Sequence, residues 1–522
     1  MLPFFLILIL LFQASTLGLS DDEAYYWVLS QKLSWSYAFH PPAVAAFIAG
    51  AQNLLGWFLG SHSEVVARLP AVLCSGAVLG LSLKWLGQVR AWGLFTPVET
   101  PCAMFPSQEE WDWKAQRIPA SILLSFWGFF SLSWMMVPDL PLFLGWMLLF
   151  TEASQVCLRE PKPWSGLTLA LGAGLVLNSK YSGVLAVMSC GLSLVLLAKT
   201  SARRFLLGCL GLGSLLGVLP VLIWNASHEW ASILYQIRDR HEGGGISWIR
   251  YLRFWGAELV FAGPGVIVSA LLLSVRPVKS MCLGLLKHRA LPRTVETYLF
   301  LWLFPALLVF GIQPLFSEFK AHWAFIAWWP GVLALALQSV RLNSRRPQWL
   351  FAGMAVQVVY GLLLFIFISV SLHTPWITRV AQFLVSPSSA VDPRWDVTHD
   401  FYGWNQLQEH LEQTLTAEQK KLPVIGSRYQ TASQAWFYLP HHRVTFLPRS
   451  LKEMDEWPDL KVSQGQGPQW PRLTQEVLFV ADHRYSQGPQ FQNAKCETLT
   501  RLTAFRENLV AKWIDVWICR PL

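Results

Sequence analysis

Residues 21–27 read DDEAYYW and follow directly on the apolar run Met1–Leu19. Three consecutive acids at the exit of a membrane helix are costly in hydrocarbon and functionally suggestive at its surface. Alone, they read as a solvated cap; the rest of the chain changes that reading. Apolar runs recur at 65–87, 118–137, 140–157, 164–179, 182–198, 205–224, 255–275, 297–314, 323–340 and 349–371. Counted with 2–19, these give about eleven transmembrane helices. Composition agrees. Of 522 residues, 53% are hydrophobic and only 14% charged, whereas a soluble protein carries about 25% charged residues. Met1–Leu19 has no basic segment before it and no small-x-small cleavage site, so it reads as an uncleaved helix.

The net charge of +9 is read first as topology. Threading the spans places Lys84, Arg90, Lys114 and Arg117 on one side. Arg159, Lys162, Lys199, Arg203, Arg204, Arg276, Lys279, Arg293, Arg341, Arg345 and Arg346 join them. Cytoplasmic loops hold the excess of Lys and Arg, so Asp22, Asp139, Lys180, Lys320 and the tail fall on the outer face. No basic run is interleaved with aromatics, which gives no sign of a nucleic-acid partner. Residues 21–64 are too polar for one span. Their aromatic rings suit a helix lying at headgroup depth, ended by His40-Pro41-Pro42, and 43–60 reads as a second interfacial helix or a shallow hairpin.

From about residue 373 the texture is that of a soluble domain. Helical periodicity over 404–419 and 430–438 alternates with short strands at 423–427, 443–447, 476–482 and 512–519. The reading is therefore a polytopic all-α membrane domain over 1–372 and a small extracytoplasmic α/β domain over 373–522. Eight Cys are scattered without CxxC or Cys/His metal spacing. Cys496 and Cys519 fall in the tail, where an oxidising compartment would allow a bond that spacing alone does not establish.

DDEAYYW, FHPP (39–42) and SEVVARLPAVL (63–73), then VPDLPLF (137–143), LNSKYSG (177–183), PVLIWNASHEWAS (220–232), KAHWAF (320–325) and RYQTASQAWFYLP (428–440) form an ordered set. It resembles the GT-C glycosyltransferases related to protein O-mannosyltransferases and lipid A aminoarabinose transferases (families 39 and 83). The resemblance runs through nearly the whole chain and implies the GT-C fold. It implies transfer, with inversion, of a sugar from a polyprenyl-phosphate donor to a lipid (lipid A-like) or protein acceptor. It places the enzyme in the inner membrane, with site and tail facing the periplasm. A flippase of lipid-linked sugars is the rival reading, although no internal repeat of helices supports it.

Such a reaction needs a carboxylate for the acceptor's proton, cations on the leaving phosphate and an apolar flank for the isoprenoid. Asp22 takes the catalytic carboxylate position, with Glu23 beside it; EAYYW fixes the register despite the extra acid Asp21. Asp139, between Pro138 and Pro141, is a second catalytic candidate, where a plain polar turn is the alternative. Convergence of Asp22 and Asp139 would offer oxygen ligands to a divalent ion (Mg or Mn), a question the resemblance leaves open. For the donor phosphate the candidates are Arg68, inside an apolar span and calling for a buried carboxylate or a phosphate, Lys180 with Tyr181 in a tight turn, and Lys320 with His322 at a span's outer end. A snorkelling lysine is the plainer account of Lys180. Asn225-Ala226-Ser227 matches a glycosylation sequon, but Asn225 is expected to bond locally.

Overall fold

The structure, a computed structural model, describes residues 2–93, 113–238, 245–287, 291–317, 319–340, 348–385, 392–446, 472–484 and 488–522. Arg341, Arg345 and Arg346 lie outside them.

In chain order the helices are α1 (Leu2–Thr16), α2 (Asp21–Gln31), α3 (Ala43–Leu59), α4 (Glu64–Ala91), α5 (Trp113–Leu124) and α6 (Trp127–Leu132). Then come α7 (Asp139–Leu158), α8 (Ser165–Ser179), α9 (Gly183–Leu197), α10 (Thr200–Ser227), α11 (Ala231–Ile237), α12 (Trp248–Ala262) and α13 (Pro264–Lys287). The last are α14 (Val295–Ile312), α15 (Phe325–Val340), α16 (Gln348–His373), α17 (Trp376–Val385), α18 (Leu407–Thr414) and α19 (Tyr429–Tyr438). Among the described residues six helices are long and apolar enough to cross a bilayer, within α4, α7, α10, α13, α14 and α16. The apolar helices α1, α8, α9 and α15 are shorter, at 15 or 16 residues. The protein is a multi-pass membrane protein.

Two spans that the sequence presents as continuous are broken. The run 118–137 divides into α5 and α6 at Ser125, and 255–275 divides at Gly263 between α12 and α13. Gly263 has φ of 81°, a left-handed value that glycine adopts without steric cost. One buried side chain on α16 serves both breaks. Gln357 Nε2 donates to Ser125 O (3.4 Å) and Ala262 O (3.3 Å), while its Oε1 accepts from Gly265 N (3.0 Å) and Val266 N (3.3 Å). A break inside a membrane bundle persists where a neighbour satisfies the freed backbone groups, which is what Gln357 does.

The tail contains β1 (Val424–Gly426), β2 (Val444–Phe446), β3 (Val477–Asp482), β4 (Ala494–Arg506) and β5 (Leu509–Pro521), in spatial order β2-β1-β3-β5-β4. β1 runs parallel to β2 and β3, whereas β5 runs antiparallel to β3 and β4. α19 is the crossover that a parallel β1–β2 pair requires. Cys496 and Cys519 stand opposite each other on β4 and β5 and are disulfide-bonded.

One apolar cluster joins this sheet to the end of the helices that carries α2 and α3. It contains Tyr25 and Trp27 of α2, Ile48 of α3, Phe437 of α19, and Leu478, Ile514 and Val516 of the sheet. Tyr25 meets Tyr429 edge-on at 4.9 Å, and Trp27 meets Phe437 at 5.0 Å. The first turn of α2 is therefore packed between bundle and sheet. At the far end of the bundle, Arg159 bonds Trp92 O, Arg293 bonds Cys157 O and Lys199 pairs with Glu160. The basic loops and the acidic turn thus occupy opposite ends.

Candidate active site

Ser20 starts α2 as its N-cap in a reciprocal capping box: Glu23 N donates to Ser20 Oγ (3.3 Å) and Ser20 N to Glu23 Oε2 (3.0 Å). The box satisfies helix-end donors, and acids in a first turn also complement the helix dipole. Consecutive helical residues point in different directions, so the three acids have three environments.

Glu23 points inward. Its oxygens accept from Arg68 Nε (2.7 Å) and Nη2 (2.7 Å) and from Met136 N (3.2 Å). Arg68 is fully buried and also donates to Ala14 O (3.1 Å), Leu17 O (2.6 Å) and Gly18 O (2.6 Å). It closes the end of α1 and ties it to α2. Every guanidinium nitrogen is engaged by protein acceptors, so the expectation that Arg68 meets the donor phosphate gives way to a structural role. The buried positive charge that suggested an anionic partner has one, Glu23.

Asp21 is also buried and accepts from Gln434 Nε2 at 3.0 Å. Asp22 is different: its side chain is 49% exposed, with Lys320 Nζ 3.7 Å from Oδ2. Of the three acids, the middle one is presented.

Asp139 opens α7 behind Pro138, with Pro141 still in the first turn, where a missing N–H costs nothing. Lys180 caps the end of α8, where a cation suits the dipole. The two meet, with Lys180 Nζ donating to Asp139 Oδ1 at 2.7 Å and both side chains largely buried. Lys180 Nζ also stands 5.6 Å from the Trp323 ring centroid, within range of a cation–π attraction. His322 and His40 lie near enough to act on the charge of Asp139. His322, Asp139, Phe129, Phe143 and Phe325 line a small, mostly apolar pocket.

Tyr181, next in the chain after Lys180, has a partner on another element. Its hydroxyl donates to Ser232 Oγ (2.7 Å), which in turn bonds Asn225. Asn225 is fully buried, donating to Val221 O (2.8 Å) and accepting from Ser232 N (3.1 Å), so the sequon asparagine does bond locally. The effect is to pin the Lys180 turn to the start of α11.

The short turn Ala321–Ala324 and its preceding residue join these parts: Lys320 reaches Asp22, His322 neighbours Asp139, and Trp323 lies by Lys180. Asp22 and Asp139 thus each face an ammonium group, of Lys320 and of Lys180. Among the described residues no three His, Cys, Asp or Glu side chains group so as to hold a metal ion. With Asp22 beside Lys320 and Asp139 bonded to Lys180, this donor set does not fit the Mg or Mn site that convergence of the two carboxylates would have made.

Residues that sequence reasoning left without a role include Asp21, Gln434 and His40. Beside Asp21, Arg484 lies 3.7 Å from its carboxylate and pairs with Asp400. Burial, followed by the charge of Asp21, pushes Asp400 up to about 7 and Asp482 up to about 6.

No protein-family model matches the chain. A lipid A galacturonosyltransferase, RgtD, from Rhizobium johnstonii is 23% identical over 347 residues, or 66% of this chain. The match covers 64% of that relative, slightly under two thirds of its length. Two crystal structures of ArnT from Cupriavidus metallidurans superpose on 99% of this chain at 14% identity. The TM-score is 0.57 for the apo state and 0.59 for the form bound to undecaprenyl phosphate. The chain has the GT-C fold, that of ArnT, with a small sheet at its C-terminus.

Proposed function

We propose that the chain is an inner-membrane glycosyltransferase that takes a sugar from a polyprenyl-phosphate donor and passes it to a lipid acceptor of the lipid A type at the periplasmic face. The observation that carries this reading is segment 320–323, which brings a presented carboxylate, the ammonium groups of Lys320 and Lys180 and the His322 ring to one place. RgtD is named for transfer to lipid A and an ArnT structure holds undecaprenyl phosphate; both support the donor and acceptor classes. The positive-inside asymmetry supports a periplasmic site, and the Cys496–Cys519 bond supports an oxidising compartment for residues 373–522, taken as the outer domain.

Asp22 accepts the proton of the acceptor's hydroxyl as that oxygen attacks the anomeric carbon opposite the leaving group. The bond from that carbon to the donor phosphate oxygen breaks, and its electron pair leaves with polyprenyl phosphate. The new glycoside has inverted configuration. Lys320 and Lys180, with the His322 ring beside them, meet the phosphate as its charge grows, where fixed cations matter most. Asp139 holds Lys180 ready, while Tyr181 fixes its turn. Glu23 and Arg68 set the frame.

The rival reading, a flippase, has less support, because the acid–ammonium pairs gather at one end of the bundle and not at its midplane. The test presents labelled nucleotide sugars and polyprenyl-phosphate sugars side by side to purified protein in liposomes, with lipid A or a peptide as acceptor. Transfer to lipid A from the polyprenyl donor alone is expected, weakened at least tenfold in kcat/KM by Lys180→Ala. Transfer from a nucleotide sugar without carrier, transfer to the peptide alone, or translocation without transfer would overturn the reading.

A further inference from the structure

The start of α2 is held by the C-terminal sheet as well as by the bundle. Gln434, midway along α19, is fully buried. Its amide nitrogen donates to Leu19 O at 2.9 Å and to Asp21 Oδ1 at 3.0 Å. Both neighbours are acceptors, so only this amide orientation makes the bonds. Among the described residues Gln434 Oε1 has no hydrogen-bond partner and is buried, so the side chain serves its position through donation. One turn later, Tyr438 Oη accepts from Leu19 N (2.9 Å) and donates to Glu64 Oε1 (3.1 Å). The approach is close: a Cβ on Gly18 would stand 2.7 Å from Phe401 O and 2.9 Å from Tyr438 Oη. Both backbone groups of Leu19 and the carboxylate of Asp21 are thus claimed by one helix of the distant tail.

Asp22 is the next residue. Its neighbours on either side are fixed, Asp21 by α19 and Glu23 by Arg68, and a carboxylate between two anchors has little freedom to turn. We propose that Gln434 is a positioning residue: through Asp21 and Leu19 it holds the first turn of α2 so that Asp22 faces segment 320–323. The C-terminal sheet is then a working part of the active site and not an independent binding module. A base must be held within a few tenths of an ångström of productive geometry to act well. This inference rests on the reading of Asp22 as the base.

The test measures transfer from a polyprenyl-phosphate sugar to lipid A by full-length protein in liposomes, for Gln434→Leu, Gln434→Glu and Asp22→Asn. Gln434→Leu keeps bulk and removes the donor; Gln434→Glu keeps shape and turns the donor into an acceptor, so one serves if the other fails to fold. A positioning role predicts kcat at least tenfold lower per folded molecule in both, with donor KM within twofold of wild type. A purely structural role would lower the folded fraction and leave kcat per folded molecule alone. Full kcat in a folded Gln434 variant, with Asp22→Asn inactive, overturns this inference and spares the base assignment. An active Asp22→Asn overturns both.

Discussion

Glu23 and Arg68 meet across two hydrogen bonds of 2.7 Å with side chains 2% and 0% exposed. The pair joins the capped start of α2 to the end of α1 and, through Met136 N, to the loop that leads into Asp139. A charge pair this deep is a poor source of net stability, yet losing one member leaves the other buried and alone. Arg68→Met should therefore destabilise the protein by about 3–5 kcal/mol. The double variant Glu23→Met/Arg68→Met should recover part of that loss. Thermal melting in detergent is the check. A stable Arg68→Met protein that differs only in donor KM would return Arg68 to the phosphate site.

Gln357 tests the two helix breaks together. Removing its amide strands Ser125 O, Ala262 O and Gly265 N, and each orphaned buried group costs roughly 1–3 kcal/mol. Gln357→Leu should lower the melting temperature clearly. Gln357→Glu keeps the acceptor for Gly265 and Val266 and should lower it less. Equal melting of both variants with wild type would mean that water or backbone shifts already satisfy the breaks.

The contact between sheet and acidic turn should depend on pH. Asp400 and Asp482 are raised from 3.8 to about 7 and about 6, by burial first and Asp21 second, against the opposing pull of Arg484 and Lys512. A carboxyl that holds its proton more tightly when folded contributes stability in full below its unfolded pKa and loses it as pH rises through the folded one. The loss should fall between about pH 4 and pH 7. Melting followed at both pH values should drop more for wild type than for Asp482→Asn, which stays neutral throughout. His483, held down to about 3 by burial, adds stability with rising pH in both proteins, so the difference between them is the test: an Asp482→Asn protein that falls as far as wild type would contradict the sign.

How much of this was legible depended on whether the signal was local. Asp139 between two prolines and Lys180 in a tight turn stand out as charges at the ends of apolar runs, and their pairing fits that prominence. Strands β1, β2, β3 and β5 were visible as short apolar runs. β4 was not: AKCETLTRLTAFR alternates charged residues with threonine on an edge strand, and few of its side chains are buried. Gln434 and Gln357 were invisible for a different reason. Each is a neutral amide whose partners lie far along the chain, so nothing nearby marks it. Arg68 reads from sequence as a cation that calls for a buried carboxylate or a phosphate; that it meets the carboxylate of Glu23 depends on a contact 45 residues along the chain, which no local signal marks.

The central claim is that Asp22 is the presented base. The most direct measurement is single-turnover transfer by Asp22→Asn with saturating polyprenyl-phosphate sugar and lipid A, normalised to folded protein. The substitution keeps size and helix position and removes only the ability to take a proton. A positioned general base typically contributes ~10²–10⁴-fold, so the rate should fall by at least ~100-fold with donor binding and melting unchanged. A rate within tenfold of wild type at equal folded protein would contradict the account.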